Sequence, residues 1–111
     1  MIDSTNREYA AIWFESIASR AEHLATGNVT HEGPSIKGLA IRSKWFLEQH
    51  GHKDDKFLAK LCSRFTELAE FCDNITVFNV LTKKEQIKYY ATWCKWYIRR
   101  HQFEENPHEM K

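Results

Sequence analysis

Three cysteines, two prolines and four glycines are spread thinly along 111 residues, and each scarcity removes a class of protein. Three thiols cannot pair completely, and Cys62, Cys72 and Cys94 each fall among apolar neighbours at helical spacing, so they read as packed small hydrophobes rather than a disulfide framework. The glycines, at 27, 33, 38 and 51, fit neither the dinucleotide fingerprint nor the phosphate loop, which argues against a nucleotide-binding α/β enzyme. No Cys-x-x-Cys or His-Glu-x-x-His motif occurs, and His31-Glu32 lacks its second histidine. His50, His52, Asp54 and Asp55 gather metal-type ligands within six residues, yet a polar loop ending a helix explains them equally well. No metal and no cofactor is expected.

No apolar run approaches the roughly 18 to 20 residues of a membrane helix, so no membrane partner is expected. The start of the chain, Met1 to Glu8, has neither the basic opening nor the apolar stretch of a secretory signal, and the expected location is cytoplasmic. Sixteen Lys and Arg against 15 Asp and Glu give a net charge of +1, too little for a whole-molecule field that would gather nucleic acid or anionic lipid. No internal repeat and no low-complexity segment stands out.

What the chain does hold is apolar and aromatic: 42% apolar residues, with seven Phe, four Trp and four Tyr. That suffices to offset the entropy of folding one domain. Thr5-Asn6-Arg7-Glu8 has the form of a capping box, opening a helix over 5–26 whose buried stripe is Ala10, Trp13, Phe14, Ile17, Ala21 and Leu24, with Gly27 as its stop. Its opposite face carries Glu8, Glu15 and Glu22, an acidic ridge. Gly27 to Pro34 reads as a reversing loop. A second helix over 35–50 has the seam Ile36, Leu39, Ala40, Ser43, Phe46 and Leu47 and ends at Gly51; Gly38 within it suggests a close helix crossing. The run Gly33 to Gly38 at its start could hold an anion or be an ordinary cap.

Asp54 or Asp55 can cap a third helix, 55–73, striped by Leu58, Leu61, Cys62, Phe65, Leu68, Ala69 and Cys72. The β-branched run Ile75-Thr76-Val77 has no second strand to pair with, so 74–81 reads as a buried non-helical or short helical connection. Thr82-Lys83-Lys84-Glu85 is a second capping box, opening a helix over 82–101 whose seam is Ile87, Tyr90, Ala91, Cys94, Tyr97 and Ile98. Residues 102–111 have no apolar rhythm and read as a loose tail. The expectation is an all-α domain over 1–101, a compact bundle of about four helices.

The last helix carries the most information about function. At 100° per residue, Tyr89, Trp93, Trp96 and Arg100 fall on a face about 145° from the seam, while Lys84, Lys88, Lys95 and Arg99 line a third. Between Lys83 and His101 six cations meet one acid. Such a helix can dock into a protein groove, where Trp, Tyr and Arg carry most of the energy, or stack the bases of single-stranded nucleic acid while neutralising phosphates. It is also what a central helix touching two neighbours would show, and the acidic ridge of the first helix could meet its basic ridge. Ile41 and Trp45 lie opposite the main seam of the second helix in the same way.

No spacing brings His23, His50 or His101 together with a particular carboxylate, so no catalytic residues are assigned and no enzyme is expected. The expected activity is binding of another protein through Tyr89, Trp93, Trp96 and Arg100. Lys88, Lys95 and Arg99 would steer it, and Ile41 and Trp45 would form a second patch. Nucleic-acid binding by the same helix is the alternative, and a homodimer would cover the same patch.

Overall fold

The computed structural model describes residues 4–51 and 54–103, and among them four helices follow one another without a strand: α1 (Ser4–Glu22), α2 (Val29–His50), α3 (Lys56–Phe71) and α4 (Val80–Phe103). The all-α bundle inferred from periodicity is the architecture found. The stripes hold as well. Ala10, Phe14, Ile17, Ala21 and Leu24 of α1 and its turn, Ile36, Ala40, Ser43 and Leu47 of α2, and Ile87, Ala91, Cys94 and Ile98 of α4 are buried, as is the whole α3 stripe from Leu58 to Cys72. The half-buried Trp13, Leu39 and Tyr90 close the edges. α1 packs most extensively on α4, and α2 on α3.

Several boundaries differ from those the punctuation suggested, for one physical reason. α1 stops at Glu22 rather than 26, α2 starts at Val29 rather than 35, and α4 starts at Val80 rather than 82. In place of Gly27 and the second capping box, an asparagine organises each turn. The Asn28 side chain accepts from the Ala25 amide at 2.8 Å and donates to the His23 carbonyl at 2.7 Å, while its own carbonyl takes the Glu32 amide at 2.9 Å. One residue thus ties off the chain leaving α1 and opens α2. Gly33 and Pro34 therefore lie inside α2, and the run Gly33 to Gly38 is not at the helix start, where free amides would meet an anion. Pro34 is tolerated because it is exposed, where water can take the carbonyl bond that its missing N–H forgoes.

Three smaller expectations also change. The 74–81 connection is largely open rather than buried: Thr76, Val77, Phe78 and Leu81 are exposed, Phe78 at 96%. No second backbone crosses at Gly38, whose nearest neighbour is the Arg42 guanidinium. α4 continues through Phe103, past the expected end at 101, and the tail expected over 102–111 otherwise lies outside the described residues. Two caps are as expected. Asp55 accepts from the Phe57 and Leu58 amides at 2.9 and 3.2 Å. Gly51 ends α2 with its amide on the Leu47 carbonyl at 2.9 Å, and a Cβ there would collide with Leu58.

The structure exposes a repeat that the sequence conceals. Asn79 repeats the bonds of Asn28: it accepts from Thr76 N at 2.8 Å, donates to Asn74 O at 2.9 Å and takes the Lys83 amide at 2.9 Å. Carried along the chain, that shift of 51 positions matches Ile36-Lys37, Ala40, Lys44-Trp45 and His50 to Ile87-Lys88, Ala91, Lys95-Trp96 and His101. Contacts repeat reciprocally. Lys37 pairs with Asp73 at 2.6 Å and Lys88 with Glu22 at 2.6 Å; Tyr9 meets the Phe46 ring at 5.8 Å and Lys60 the Tyr97 ring at 5.7 Å. Reciprocal contact of this kind is what a two-fold relation produces. Phe14 and Phe65 are each other's equivalents and stack at 4.0 Å, 2° from parallel, as a pair on the pseudo-axis must. The fold is two helical hairpins, α1–α2 and α3–α4, packed as a pseudo-symmetric pair.

Candidate functional site

α4 is held by its seam, and that anchorage decides which way its remaining faces look. With Ile87, Ala91, Cys94 and Ile98 buried, the face roughly opposite turns outward: Tyr89 is 78% exposed, Trp96 64% and Trp93 48%, with Arg100 also exposed. Among the described residues, neighbours do not cover these rings as the central-helix alternative would require. Glu85, Lys88, Tyr89, Thr92, Trp93 and Trp96 line a shallow depression of about 460 Å³, and a second, of about 480 Å³, adjoins it over Gln86 and Arg64.

The rings differ in how firmly they are placed. Trp93 stacks on Tyr97 at 5.6 Å and 16°, and the Arg64 guanidinium lies over it at 5.5 Å. Arg64 is fixed in turn: Nη1 donates to the Tyr90 hydroxyl at 3.1 Å and to Glu67 Oε1 at 3.2 Å, while the Tyr90 hydroxyl donates to Glu67 Oε2 at 2.7 Å. Burial, reinforced by the bond to Glu67, pushes the Tyr90 phenol up to about 12, so it stays a neutral donor. Trp93 therefore rests on a braced platform. Trp96 and Tyr89 make no ring contact with any described residue.

The basic ridge is not offered to solvent unopposed. Lys88 meets Glu22 at 2.6 Å, and Lys95 and Arg99 approach Glu15 at 3.7 and 3.8 Å. The hydrogen bond from Lys88 lowers the Glu22 carboxyl and raises the Lys88 ammonium from their ordinary values. The acidic ridge of α1 thus sets two carboxylates against the three cations expected to steer a partner, leaving one positive charge in excess. On α2, Ile41 is exposed and Trp45 is 59% exposed, but Gly38 and Arg42 stand where α4 has Tyr89 and Trp93. Sequence reasoning missed the exposed Val77, Phe78 and Leu81 at the tip of the second hairpin, because a β-branched apolar run reads as core. Their equivalents in the first hairpin, Thr26, Gly27 and Thr30, were the available signal.

The residues considered for chemistry are not assembled. Cys62, Cys72 and Cys94 are unpaired and buried, and burial pushes their thiols up to about 11, 11 and 12, far from a nucleophile's range. His23 and His50 are exposed, with His50 against the Phe46 ring at 4.3 Å; the His52 residue and the His101 side chain lie outside the described residues. Asp55 is engaged as a helix cap, and no group of three metal-type ligands forms among the described residues. No helix is long and apolar enough to cross a membrane among the described residues. Compared with family models, curated proteins and solved structures, the chain finds no match in any of the three.

Proposed function

We propose that this chain is a small non-enzymatic helical protein, an adaptor, inhibitor or regulatory accessory, that acts in the cytoplasm by binding another protein through the outer face of α4. One observation carries the reading: Tyr89, Trp93 and Trp96 stand exposed together on a helix whose opposite side is fully engaged in the core. Indoles and phenols cost little conformational entropy to immobilise and dominate protein contacts when water is excluded around them. The three rings expose on the order of 400 Å², within the range of the largest apolar patches on monomers, which tend to be functional. Arg100 adds a guanidinium to the same face, and Ile41 with Trp45 supplies a lesser patch on α2.

A protein partner is favoured over nucleic acid by the pairing of Lys88, Lys95 and Arg99 with Glu22 and Glu15, since a phosphate backbone would have to displace those carboxylates. The test pairs stability with binding. Trp93→Ala and Trp96→Ala together should leave the helical fold in place, yet abolish recovery of a protein that the wild-type chain and Ile12→Ala, changed at an exposed residue of α1, both capture from the native host. Equal recovery by all three would refute the assignment of the face, and recovery of nucleic acid with a steep salt dependence would refute the partner class.

A further inference from the structure

We infer that the partner on this face is a second copy of the chain, joined through an antiparallel α4–α4 contact whose two-fold axis passes between Thr92 and Trp93. The inference rests on the proposed protein-binding role of that face and commits it to one occupant. On the outer face of α4 residues fall in pairs about a single midpoint: the exposed Glu85 with the exposed Arg100, the exposed Tyr89 with the exposed Trp96, and the half-buried Thr92 with the exposed Trp93. When two identical helices cross antiparallel at that midpoint, each residue meets its pair member on the other copy, which is the self-complementarity that an isologous contact requires. Tyr89 then stacks on the partner's Trp96 at both ends of the central step, and Glu85 faces the partner's Arg100 twice. Both are exposed, and Glu85 lines the depression that holds Tyr89 and Trp96.

Charge permits the pairing. Apposing two basic helices would ordinarily be repulsive, but Glu22 and Glu15 offset two of the three charges on Lys88, Lys95 and Arg99 within each copy. Area is adequate for a modest interface: the rings alone supply about half of the ~800 Å² that each side of a standard contact buries, and the flanking depression adds to it. The assembly also closes. Had α2 kept the same face, each chain would carry two such surfaces and propagate open-ended; Gly38 and Arg42 in place of Tyr89 and Trp93 leave Trp45 without that register.

The test is sedimentation of the intact chain from about 1 to about 200 µM, a range that spans weak and moderate self-association. Acrylamide quenching and circular dichroism accompany every variant. A monomer–dimer equilibrium is expected, weakened by about tenfold or more in Trp96→Ala and unchanged in Ile12→Ala, which alters an exposed residue of α1. Glu85→Arg alone and Arg100→Glu alone should each weaken it comparably, and the double exchange should restore it, a rescue that no general loss of fold would give. A dimer indifferent to all of these changes would overturn the inference. A monomer at every concentration with quenchable indoles would overturn the second copy while leaving the face open to another protein, and a monomer with shielded indoles would overturn both readings.

Discussion

The two hairpins share a skeleton and differ in what they hang on it. Both keep the organising asparagine, the Ile-Lys pair that opens the second helix's seam, the alanine at its centre and the cross-hairpin ion pair. Where they diverge on the outer side, most differences run one way, with Ile41 against Thr92 the reverse. On the outer side of the second helix and its approach, the first hairpin has Thr26, Gly27, Thr30, Gly38 and Arg42, and the second has Val77, Phe78, Leu81, Tyr89 and Trp93. The first hairpin's own exposed apolar residues are Tyr9, Ile12, Ile41 and Trp45, and the Tyr9 ring is already engaged with Trp13 at 5.7 Å and Phe46. Positions kept in both halves therefore report on folding. Trp45 and Trp96 are the exception: they are identical and exposed, and neither has a ring contact among the described residues.

The equivalence of the hairpins is most exposed to challenge at the pseudo-axis. Phe14→Ala and Phe65→Ala should each cost about 3–5 kcal/mol, and the double variant should fall well short of their sum because the two rings are each other's contact. Chemical denaturation checks this, and a large inequality between the single variants would break the symmetry argument. Next comes pH. All three cysteines and Tyr90 belong to the second hairpin; the first has Ala11, Ala21, Ser43 and Leu39 at those places. Each buried thiol, raised from about 9 to about 11 or 12, keeps its proton while the unfolded chain loses its own. The native state then binds more protons than the unfolded one, so stability falls as pH rises from 9 towards 11, by up to about 1.4 kcal/mol per pH unit for each thiol. Cys62→Ala, Cys72→Ala and Cys94→Ser, which copy the first hairpin, should flatten that decline in denaturation measured at pH 7 and pH 10.5.

Smaller effects sharpen the same contrast. Asn28→Ala and Asn79→Ala each remove two side-chain bonds to backbone and should destabilise by about 1–2 kcal/mol alike. Thermal melts that found one silent would show the turns to be equivalent in geometry only. Smallest of all, Trp45→Ala and Trp96→Ala should change stability by no more than about 0.5 kcal/mol, since neither ring supports the core. A large loss from either would mean that the ring is structural.

The helical seams were legible because burial imposes a period of about 3.6; the residues named from spacing are buried or edge the core, except Phe46 and Tyr97, which are half-buried outside it. The aromatic face of α4 was legible as a face, though its exposure was not: an arc of that width suits a central helix equally well. The turns were less legible because glycine and proline are the usual punctuation, whereas Asn28 and Asn79 tie off the preceding turn by side-chain bonds and open the next helix with their backbone carbonyls, an arrangement that depends on local geometry. The usual punctuation also hid the repeat. Once Gly33-Pro34 is placed in a loop, the two hairpins have different lengths, and the correspondence of Ile36-Lys37 with Ile87-Lys88 loses its frame. Partial neutralisation of the basic ridge depended on how α1 lies along α4, a tertiary fact with no local signature.

Acrylamide quenching of the tryptophans in dilute protein bears on the functional account without an intermediary. With Trp45, Trp93 and Trp96 open and Trp13 half-buried, the emission should be dominated by indoles that the quencher reaches readily, and replacing Trp93 and Trp96 together should remove much of that accessible signal. Emission that resists quenching in the dilute, folded monomer would contradict the account, because the rings assigned to partner contact would then already be spent within a single chain.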